Sequence, residues 1–202
     1  MGTVQQSAEW IAVDWGTSNL RVWMMGSDGP PFAQGSSEKG MAGLARDAFE
    51  PALLELVEPY LAPDRVTPVI CSGMVGAREG WMEAPYVATP CPPPSGQAAV
   101  TPASTDPRLA VHILPGVKQM SPPDVMRGEE TQIAGVLSAQ PDFDGILCLP
   151  GTHMKWVHIS AGEIVCFQTC MTGEMFALLS QHSVLRHSVT SDGWDQDSFL
   201  AG

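Results

Sequence analysis

Two short, largely apolar runs lie near the start of the chain. The first, at residues 10–15, has an acidic residue near its end, and the second, at residues 20–25, alternates its faces. Such alternation is typical of half-buried strands, because successive side chains of a strand point to opposite faces. The four residues between the runs, from Gly16 to Asn19, are of types that favour tight turns. The pattern therefore predicts an antiparallel hairpin, and residues 32–36 predict a third strand after it.

Helical spacing and short apolar runs follow one another through the rest of the first half. Apolar residues recur every three or four positions within 47–61, which predicts a helix. The runs 66–71 and 109–114 are short and mostly apolar, as in strands of a buried parallel sheet. The proline-rich stretch 84–107 predicts an extended surface crossing or a lid instead of a helix. A second helix is predicted to start within the segment 124–137.

The opening pattern recurs in the second half of the chain. Its predicted elements are a strand at 146–149, a Gly-Thr turn, strands at 155–159 and 163–168, and a helix over 173–185. A fold that starts twice indicates two related α/β domains, residues 1–140 and 141–202. Each is expected to open its sheet with antiparallel strands, and the first continues with parallel ones.

The composition of the chain limits which binding partners and which cellular compartment are expected. The net charge of −12 and the absence of any cluster among the ten lysines and arginines argue against nucleic acid and anionic membranes as partners. We find no signal peptide and no apolar run near 18 residues. The five cysteines lie mostly inside apolar runs and lack zinc-site spacing, which favours a reduced, cytoplasmic location.

The first turn has the composition of a phosphate-binding turn. Asp14 lies at its mouth, where a carboxylate can hold a hydrated magnesium ion. Gly16 lets a ligand approach the backbone, and Thr17 and Ser18 can donate hydrogen bonds to phosphate oxygens. The same residue types also form ordinary tight hairpins, so both interpretations stay open on this segment alone.

Two further segments carry candidate chemistry. Glu129 and Glu130 lie near the start of the second predicted helix, where they either stabilise the helix dipole or face a cleft. The Gly-rich segment 71–80 follows a predicted parallel strand, and open α/β sheets bind ligands at that end of their strands.

Two strand–turn–strand units separated by an acidic helix start resemble the superfamily of sugar kinases, actin and heat-shock chaperone ATPases. Six short segments, in the same order, are more closely similar to the 2-dehydro-3-deoxygalactonokinase family. They are VDWGTSNLR at 13–21, KGM at 39–41, GMVG at 73–76, EAPY at 83–86, PPDVMRGEETQ at 122–132 and LPGTHMKWV at 149–157. The resemblance extends through MTGE at 171–174 and covers nearly the whole chain.

The resemblance implies two ribonuclease-H-like domains with ATP between them. It implies transfer of the γ-phosphoryl group to the terminal hydroxyl of 2-dehydro-3-deoxy-D-galactonate in galactonate breakdown, with Mg²⁺ held by Asp14. The residues implied at the phosphates are Gly16, Thr17, Ser18, Asn19, Arg21, Gly151, Thr152, His153 and Lys155. Arg21 could equally pair with a carboxylate, and His153 and Lys155 could equally be strand-edge residues.

The resemblance also implies a carboxylate base and an anion-binding pocket for the acceptor. We favour Glu130 over Glu129 as the base, because Glu130 directly precedes the helical run that begins at Thr131. The candidate substrate residues are Lys39, Gly40, Ser72, Gly73, Met74, Arg78 and Arg127. Arg78 is favoured among the cations, although each of them could equally be a solvated surface charge.

Other functions on the same fold stay open at this point. A nucleotide-binding regulatory or assembly protein would need the two turns but no pocket for a second anion. The Glu-Glu pair also resembles exopolyphosphatases, which keeps a phosphatase reaction as an alternative. We find no Gly-rich adenine-binding segment before Gly202, so we expect the second domain to be incomplete. An unpaired strand edge there would favour a homodimer.

Overall fold

The protein is an α/β protein with mixed sheets, described by a computed structural model over residues 6–189 and 193–201. The strands of the described chain are β1 (Trp10–Trp15), β2 (Leu20–Met25), β3 (Ala33–Ser37), β4 (Thr67–Gly73), β5 (Tyr86–Ala88), β6 (Leu109–Ile113), β7 (Gly116–Met120), β8 (Pro123–Met126), β9 (Gly145–Leu149), β10 (Met154–Ser160) and β11 (Glu163–Cys170). The α-helices are α1 (Phe49–Val57), α2 (Glu129–Ala139), α3 (Thr172–His182) and α4 (Gln196–Ala201).

The first sheet has the strand order β3-β2-β1-β4-β6. The first three strands are antiparallel neighbours, and β4 and β6 are added in parallel. The predicted hairpin is confirmed, with Asp14 opposite Arg21 on β2 and opposite Ser72 on β4. The carboxyl ends of β1 and β4 therefore lie side by side at one edge of the sheet.

Helix α1 covers one face of this sheet, where alternate residues such as Ile11, Val13 and Trp15 are buried. The rings of Trp15 and Phe49 lie 5.0 Å apart. The α-helix is shorter than the predicted 47–61, and the chain continues beyond it as a 3-10 turn at Glu58–Tyr60. Helical spacing alone does not distinguish these two kinds of turn.

The hairpin before α2 was not predicted, whereas the start of the helix was. Residues 116–126 form the hairpin of β7 and β8, and α2 begins at Glu129, with both glutamates in its first turn as predicted. Gly128 has φ +110°, outside the helical region, so the helix cannot extend back through it. The hairpin was missed because its strands are short and largely polar.

The predicted extended crossing is confirmed. Its residues form the short strand β5 beside β7, and Cys91 makes a backbone bridge to Ile164 on β11. Cys91 is buried, so this part of the crossing is attached to the second half of the protein.

The second sheet has the order β11-β10-β9 and repeats the antiparallel start of the first sheet, as predicted. Its inner face packs against residues from β7, β8 and α2. The buried side chains of this second core are Cys91, Val117, Met126, Ile133, Val157, Ile159, Ile164 and Phe167. Strands β7 and β8 form a third sheet, in the order β5-β7-β8. Together with helix α2, this sheet connects the first two.

All five cysteines are free, but only Cys71 and Cys91 are buried. Cys148 and Cys166 lie on the outer face of the second sheet. In the described part of the chain, no helix is both long enough and apolar enough to span a membrane.

Candidate active site

A cavity of about 630 Å³ lies where the first sheet, the start of α2 and the second Gly-Thr turn meet. Its wall combines the carboxyl ends of two parallel strands with a helix start, which is the usual ligand position in open α/β sheets. The predicted site residues that line it are Asp14, Gly16, Ser72, Gly73, Met74, Arg127, Glu129 and Gly151. One cavity therefore receives residues from both strand–turn–strand units.

Other predicted site residues are described by the structure but lie outside this wall. They are Thr17, Ser18, Asn19, Arg21, Lys39, Gly40, Arg78, Glu130, Thr152, His153 and Lys155. Several of them hold the lining residues in place, as their contacts show.

The first turn is fixed from behind by residues 39–42. The amides of Met41 and Ala42 donate to the carbonyl oxygens of Gly16 and Thr17, each at 3.0 Å. A Cβ atom on Gly40 would overlap the backbone of the turn, so this contact requires glycine. Residues 39–42 therefore support the turn, although Lys39 and Gly40 were predicted to contact the substrate.

Both the side chain and the backbone of Lys39 stabilise the turn. Its ammonium group pairs with Glu55 on α1, and its carbonyl oxygen accepts a hydrogen bond from the indole of Trp15 at 2.9 Å. The side chain therefore links the back of the turn to α1 and is not directed to the cavity.

Asp14 presents its carboxylate at the end of β1 with 44% of its side chain exposed. Arg21 donates to Asp14 Oδ2 over 3.0 Å, so the carboxylate-pairing alternative for Arg21 is the one observed. The other carboxylate on the cavity wall is Glu129. Hard, exposed oxygen donors of this kind match the ligand preference of Mg²⁺.

Two glycines allow the walls of the cavity to approach closely. Gly73 has φ +96°, and a Cβ atom on it would lie 2.7 Å from the carbonyl oxygen of Trp15. Gly128 has φ +110°, and a Cβ atom there would lie 3.4 Å from the Cα atom of Gly73. The ends of β1 and β4 and the start of α2 are therefore in backbone contact.

The two adjacent glutamates occupy different environments. Glu129 lines the cavity, and its Oε2 accepts a hydrogen bond from the Arg127 amide at 3.1 Å. Glu130 is only 1% exposed and accepts hydrogen bonds from the Gly128 amide at 2.9 and 2.7 Å. Burial raises the pKa of Glu130 to about 7. The glutamate favoured from the sequence is thus the one hidden from the cavity.

Arg127 is a cation of the cavity wall without a carboxylate partner within 4.0 Å in the described chain. Its guanidinium lies 4.2 Å from the centre of the Tyr86 ring and donates to the Ala84 carbonyl oxygen at 2.9 Å. Its Nη1 is buried and has no hydrogen-bond partner among the residues that the structure describes. Arg78, the cation favoured from the sequence, instead has a 79% exposed side chain beside Glu83.

The second turn rests on the start of α3. A Cβ atom on Gly173 would lie 2.5 Å from the carbonyl oxygen of Gly151, and the Glu174 amide donates to the Thr152 carbonyl oxygen at 3.1 Å. His153 Nε2 lies 2.6 Å from Glu174 Oε2. These contacts orient the turn, and they direct His153 toward α3.

Lys155 lies in the interior, with 5% of the residue exposed. Its ammonium group donates to the carbonyl oxygen of Val125 at 2.9 Å and to the hydroxyl of Thr169 at 2.7 Å. The same hydroxyl donates to Asp124, at 2.7 Å to Oδ1. Lys155 therefore joins β8, β10 and β11, and its predicted phosphate contact has no counterpart in this geometry.

Sequence reasoning missed part of the wall. Trp10 and Ala12 line the cavity because they share a face of β1 with Asp14, which the period of two could have shown. Thr131 and Gln132 line it from the first turn of α2. They follow the two glutamates directly, but the sequence does not show which residues of a helix start face a cleft.

The fold and the cavity define an α/β protein whose candidate ligand site lies between two strand–turn–strand units. The sequence profile of the 2-keto-3-deoxy-galactonokinase family matches residues 14–202, and the chain belongs to this family.

Two curated relatives carry the name 2-dehydro-3-deoxygalactonokinase. One, provisionally so named, is from Rhizobium meliloti strain 1021 and is 40% identical over 197 residues, which cover 96% of this chain and 62% of the relative. The other is from Escherichia coli strain K12 and is 34% identical over 198 residues, covering 97% of this chain and 65% of the relative.

A crystal structure from Sinorhizobium meliloti, also provisionally named 2-dehydro-3-deoxygalactonokinase, superposes with a TM-score of 0.78 at 38% identity. The match covers 89% of this chain and 60% of that structure. The chain thus spans less than two thirds of the length of each of these three proteins.

Proposed function

We propose that the protein takes part in the ATP-dependent phosphorylation of 2-dehydro-3-deoxy-D-galactonate at its terminal hydroxyl group. The observation that carries the proposal is the meeting of Asp14, Glu129 and Gly151 on one cavity wall. Phosphoryl transfer needs positioned phosphates, charge neutralisation and a nearby proton acceptor. The family membership and the names of the relatives support the same substrate.

For the fold we propose two ribonuclease-H-like domains, residues 1–140 and 141–202. The strand order β3-β2-β1-β4-β6, with three antiparallel strands followed by two parallel ones, supports this for the first domain. The order β11-β10-β9 supports it for the start of the second.

ATP and Mg²⁺ are the proposed co-substrate and metal. Gly16 and Gly151 line the cavity, so each turn would approach the phosphates there. Asp14 would hold the metal, and Glu129 lies in the same wall. When bound, Mg²⁺ would neutralise charge on the phosphate oxygens. Arg21 lies beside Asp14 and would hold that carboxylate in position.

One of the two glutamates would accept the proton of the acceptor hydroxyl. The sequence favours Glu130, whereas exposure to the cavity favours Glu129. A base must come within about 3 Å of the proton that it removes, so we assign the role to Glu129.

The acceptor is a small anion and needs a cation or a set of donors. Arg127 suits this role better than Arg78, because it lies in the cavity wall and has no carboxylate partner within 4.0 Å in the described residues. Ser72, Gly73 and Met74 supply a hydroxyl and backbone groups at the same wall.

A coupled assay for ADP release tests the proposal on the purified chain with MgATP and 2-dehydro-3-deoxygalactonate. We expect release that depends on the acceptor, and mass spectrometry should show one added phosphoryl group on the sugar acid. Release without acceptor would favour hydrolysis. Titration calorimetry that shows MgATP binding without any turnover would contradict the kinase proposal and favour a nucleotide-binding protein.

A further inference from the structure

We infer that Glu130 is a positioning residue that fixes the start of α2 against the end of β4 and so directs Glu129 into the cavity. The inference rests on the proposed function, because it gives the two neighbouring glutamates separate roles in that reaction. It assigns no contact with substrate to Glu130.

The contacts of Glu130 link two walls of the cavity. Both carboxylate oxygens accept hydrogen bonds from the Gly128 amide, at 2.9 and 2.7 Å. Its Oε1 also lies 3.4 Å from the hydroxyl of Ser72 at the end of β4. The hydroxyl groups of Ser72 and Thr131 are 2.7 Å apart, which adds a second link between the same elements.

The orientation of Glu129 depends on these contacts. Gly128 has φ +110°, and Glu129 is the next residue and the first residue of α2. Glu129 in turn accepts the Arg127 amide at 3.1 Å. A change in the Gly128 peptide would therefore move the backbone that carries Glu129 and would alter its hydrogen bond with Arg127.

An apolar residue at position 130 could fill the same volume but would leave the Gly128 amide without its acceptor. A buried donor that loses its partner costs more than an average hydrogen bond contributes. Glutamine keeps a side-chain oxygen for the Gly128 amide and removes the charge. Glu130→Gln and Glu130→Ala therefore separate the hydrogen-bonding role from the ability to accept a proton.

Kinetics of these two variants and of Glu129→Gln test the assignment. Glu129→Gln should lower kcat by about a hundredfold or more and remove the acidic limb of the pH profile. Glu130→Gln should lose less than about tenfold, and Glu130→Ala should lose more than Glu130→Gln while both keep the acidic limb. A hundredfold loss in Glu130→Gln together with a small loss in Glu129→Gln would overturn the inference.

Hydrogen exchange gives a readout that does not require turnover. Amides of residues 125–132 should exchange at least about fivefold faster in Glu130→Ala, by the loss of one hydrogen bond worth about 1 kcal/mol or more. Glu130→Gln and the control Glu129→Gln should exchange like the wild type. Unchanged exchange in Glu130→Ala would overturn the inference.

The two experiments also separate this inference from the proposed function. A wild-type chain without acceptor-dependent turnover contradicts the proposed function, while exchange still decides whether Glu130 fixes the helix start. If circular dichroism shows that Glu130→Ala does not fold, the kinetic comparison of Glu129→Gln with Glu130→Gln alone decides.

Discussion

The two strand–turn–strand units share a backbone pattern but differ in what they bring to the cavity. The first unit contributes the carboxylate of Asp14, two residues before Gly16. In the second unit the residue two positions before Gly151 is Leu149, which cannot bind a metal. The difference indicates that the second turn contributes backbone groups, whereas the first turn also contributes the charged group.

The supports of the two turns differ as well. Residues 39–42 hold the first turn from behind, and its sheet packs on α1. The second turn rests on the start of α3, whose apolar residues Phe176 and Leu178 are 66% and 50% exposed. The first unit is therefore the better packed of the two in the described chain.

The largest expected effect is the loss of the charge that distinguishes the first unit. Asp14→Asn should reduce kcat/KM by about a hundredfold or more, because it would weaken both the proposed metal site and the pairing with Arg21. Steady-state kinetics at several Mg²⁺ concentrations measure this loss. Asp28→Asn makes the same isosteric change in an exposed turn of the same sheet and serves as the control. Equal activity in the two variants would contradict the role of Asp14.

The close approach of β1 and β4 predicts a loss of stability. Gly73→Ala should lower the free energy of unfolding by about 2 kcal/mol or more, because φ is +96° and the new Cβ would collide with Trp15. Denaturant titration measures the change. Gly43→Ala is the matched control, since a Cβ atom at Gly43 has no neighbour within 4 Å. An unchanged free energy of unfolding in Gly73→Ala would contradict the prediction that the close approach of β1 and β4 requires glycine at this position.

The proposed acceptor site predicts an effect on the affinity for the sugar acid. Arg127→Gln should raise the KM for the sugar acid by about tenfold to a hundredfold, because a charge-assisted contact contributes roughly 1.5–3 kcal/mol. Initial-rate kinetics with varied acceptor and saturating MgATP measure it. The control Arg186→Gln removes the same charge at an exposed position outside the cavity wall. A larger effect on the KM for ATP than on the KM for the acceptor would contradict this role and would indicate that Arg127 binds the nucleotide.

The smallest expected effect is a dependence of stability on pH. The pKa of Glu130 is raised to about 7 by burial, so from about pH 4.5 to 7 the unfolded chain has lost a proton that the folded chain still holds. The free energy of unfolding of the wild type should therefore fall as pH rises through this window. Glu130→Gln has no titrating group at position 130 and should not show this fall. The melting temperature of Glu130→Gln relative to the wild type should rise by roughly a few degrees and level off above pH 7.

Glu50 on α1 provides the opposite case for the same measurement. Burial tends to raise its pKa, but hydrogen bonds from the amides of Thr105 and Asp106 outweigh burial and lower it. Its stabilising contribution is present above the unfolded pKa and is lost as pH falls through the folded value. Glu50→Gln should therefore be less stable than the wild type at neutral pH and should approach it in acid. Parallel pH profiles for the two glutamine variants would contradict both assignments.

Much of the fold could be predicted because strands have a strict period. The alternation in β2 predicted its two faces, and the recurrence near residue 145 indicated the second sheet. The hairpin of β7 and β8 could not be predicted in this way, since its strands are short and contain polar residues such as Gln119. Gln119 is buried, and its side-chain amide is satisfied there: it donates to the carbonyl oxygen of Pro122 and accepts from the backbone amide of Phe167. No local sequence pattern reveals these contacts.

The candidate site was predictable by segment and less so by residue. The turns, the loop after β4 and the acidic helix start do meet at one cavity. Sequence could not decide between Glu129 and Glu130, because one residue of shift at a helix start turns a side chain by about 100°. It also could not show that Lys155 faces the interior, since the acceptors of its hydrogen bonds lie on β8 and β11.

The central claim, that both turns hold the phosphates of one nucleotide, can be tested directly by hydrogen exchange with a non-hydrolysable ATP analogue and Mg²⁺. We expect slower exchange in residues 14–21 and 149–156 at once, with Asp14→Asn reducing the protection of both segments. Protection confined to one of the two segments, or none in either, would contradict the claim.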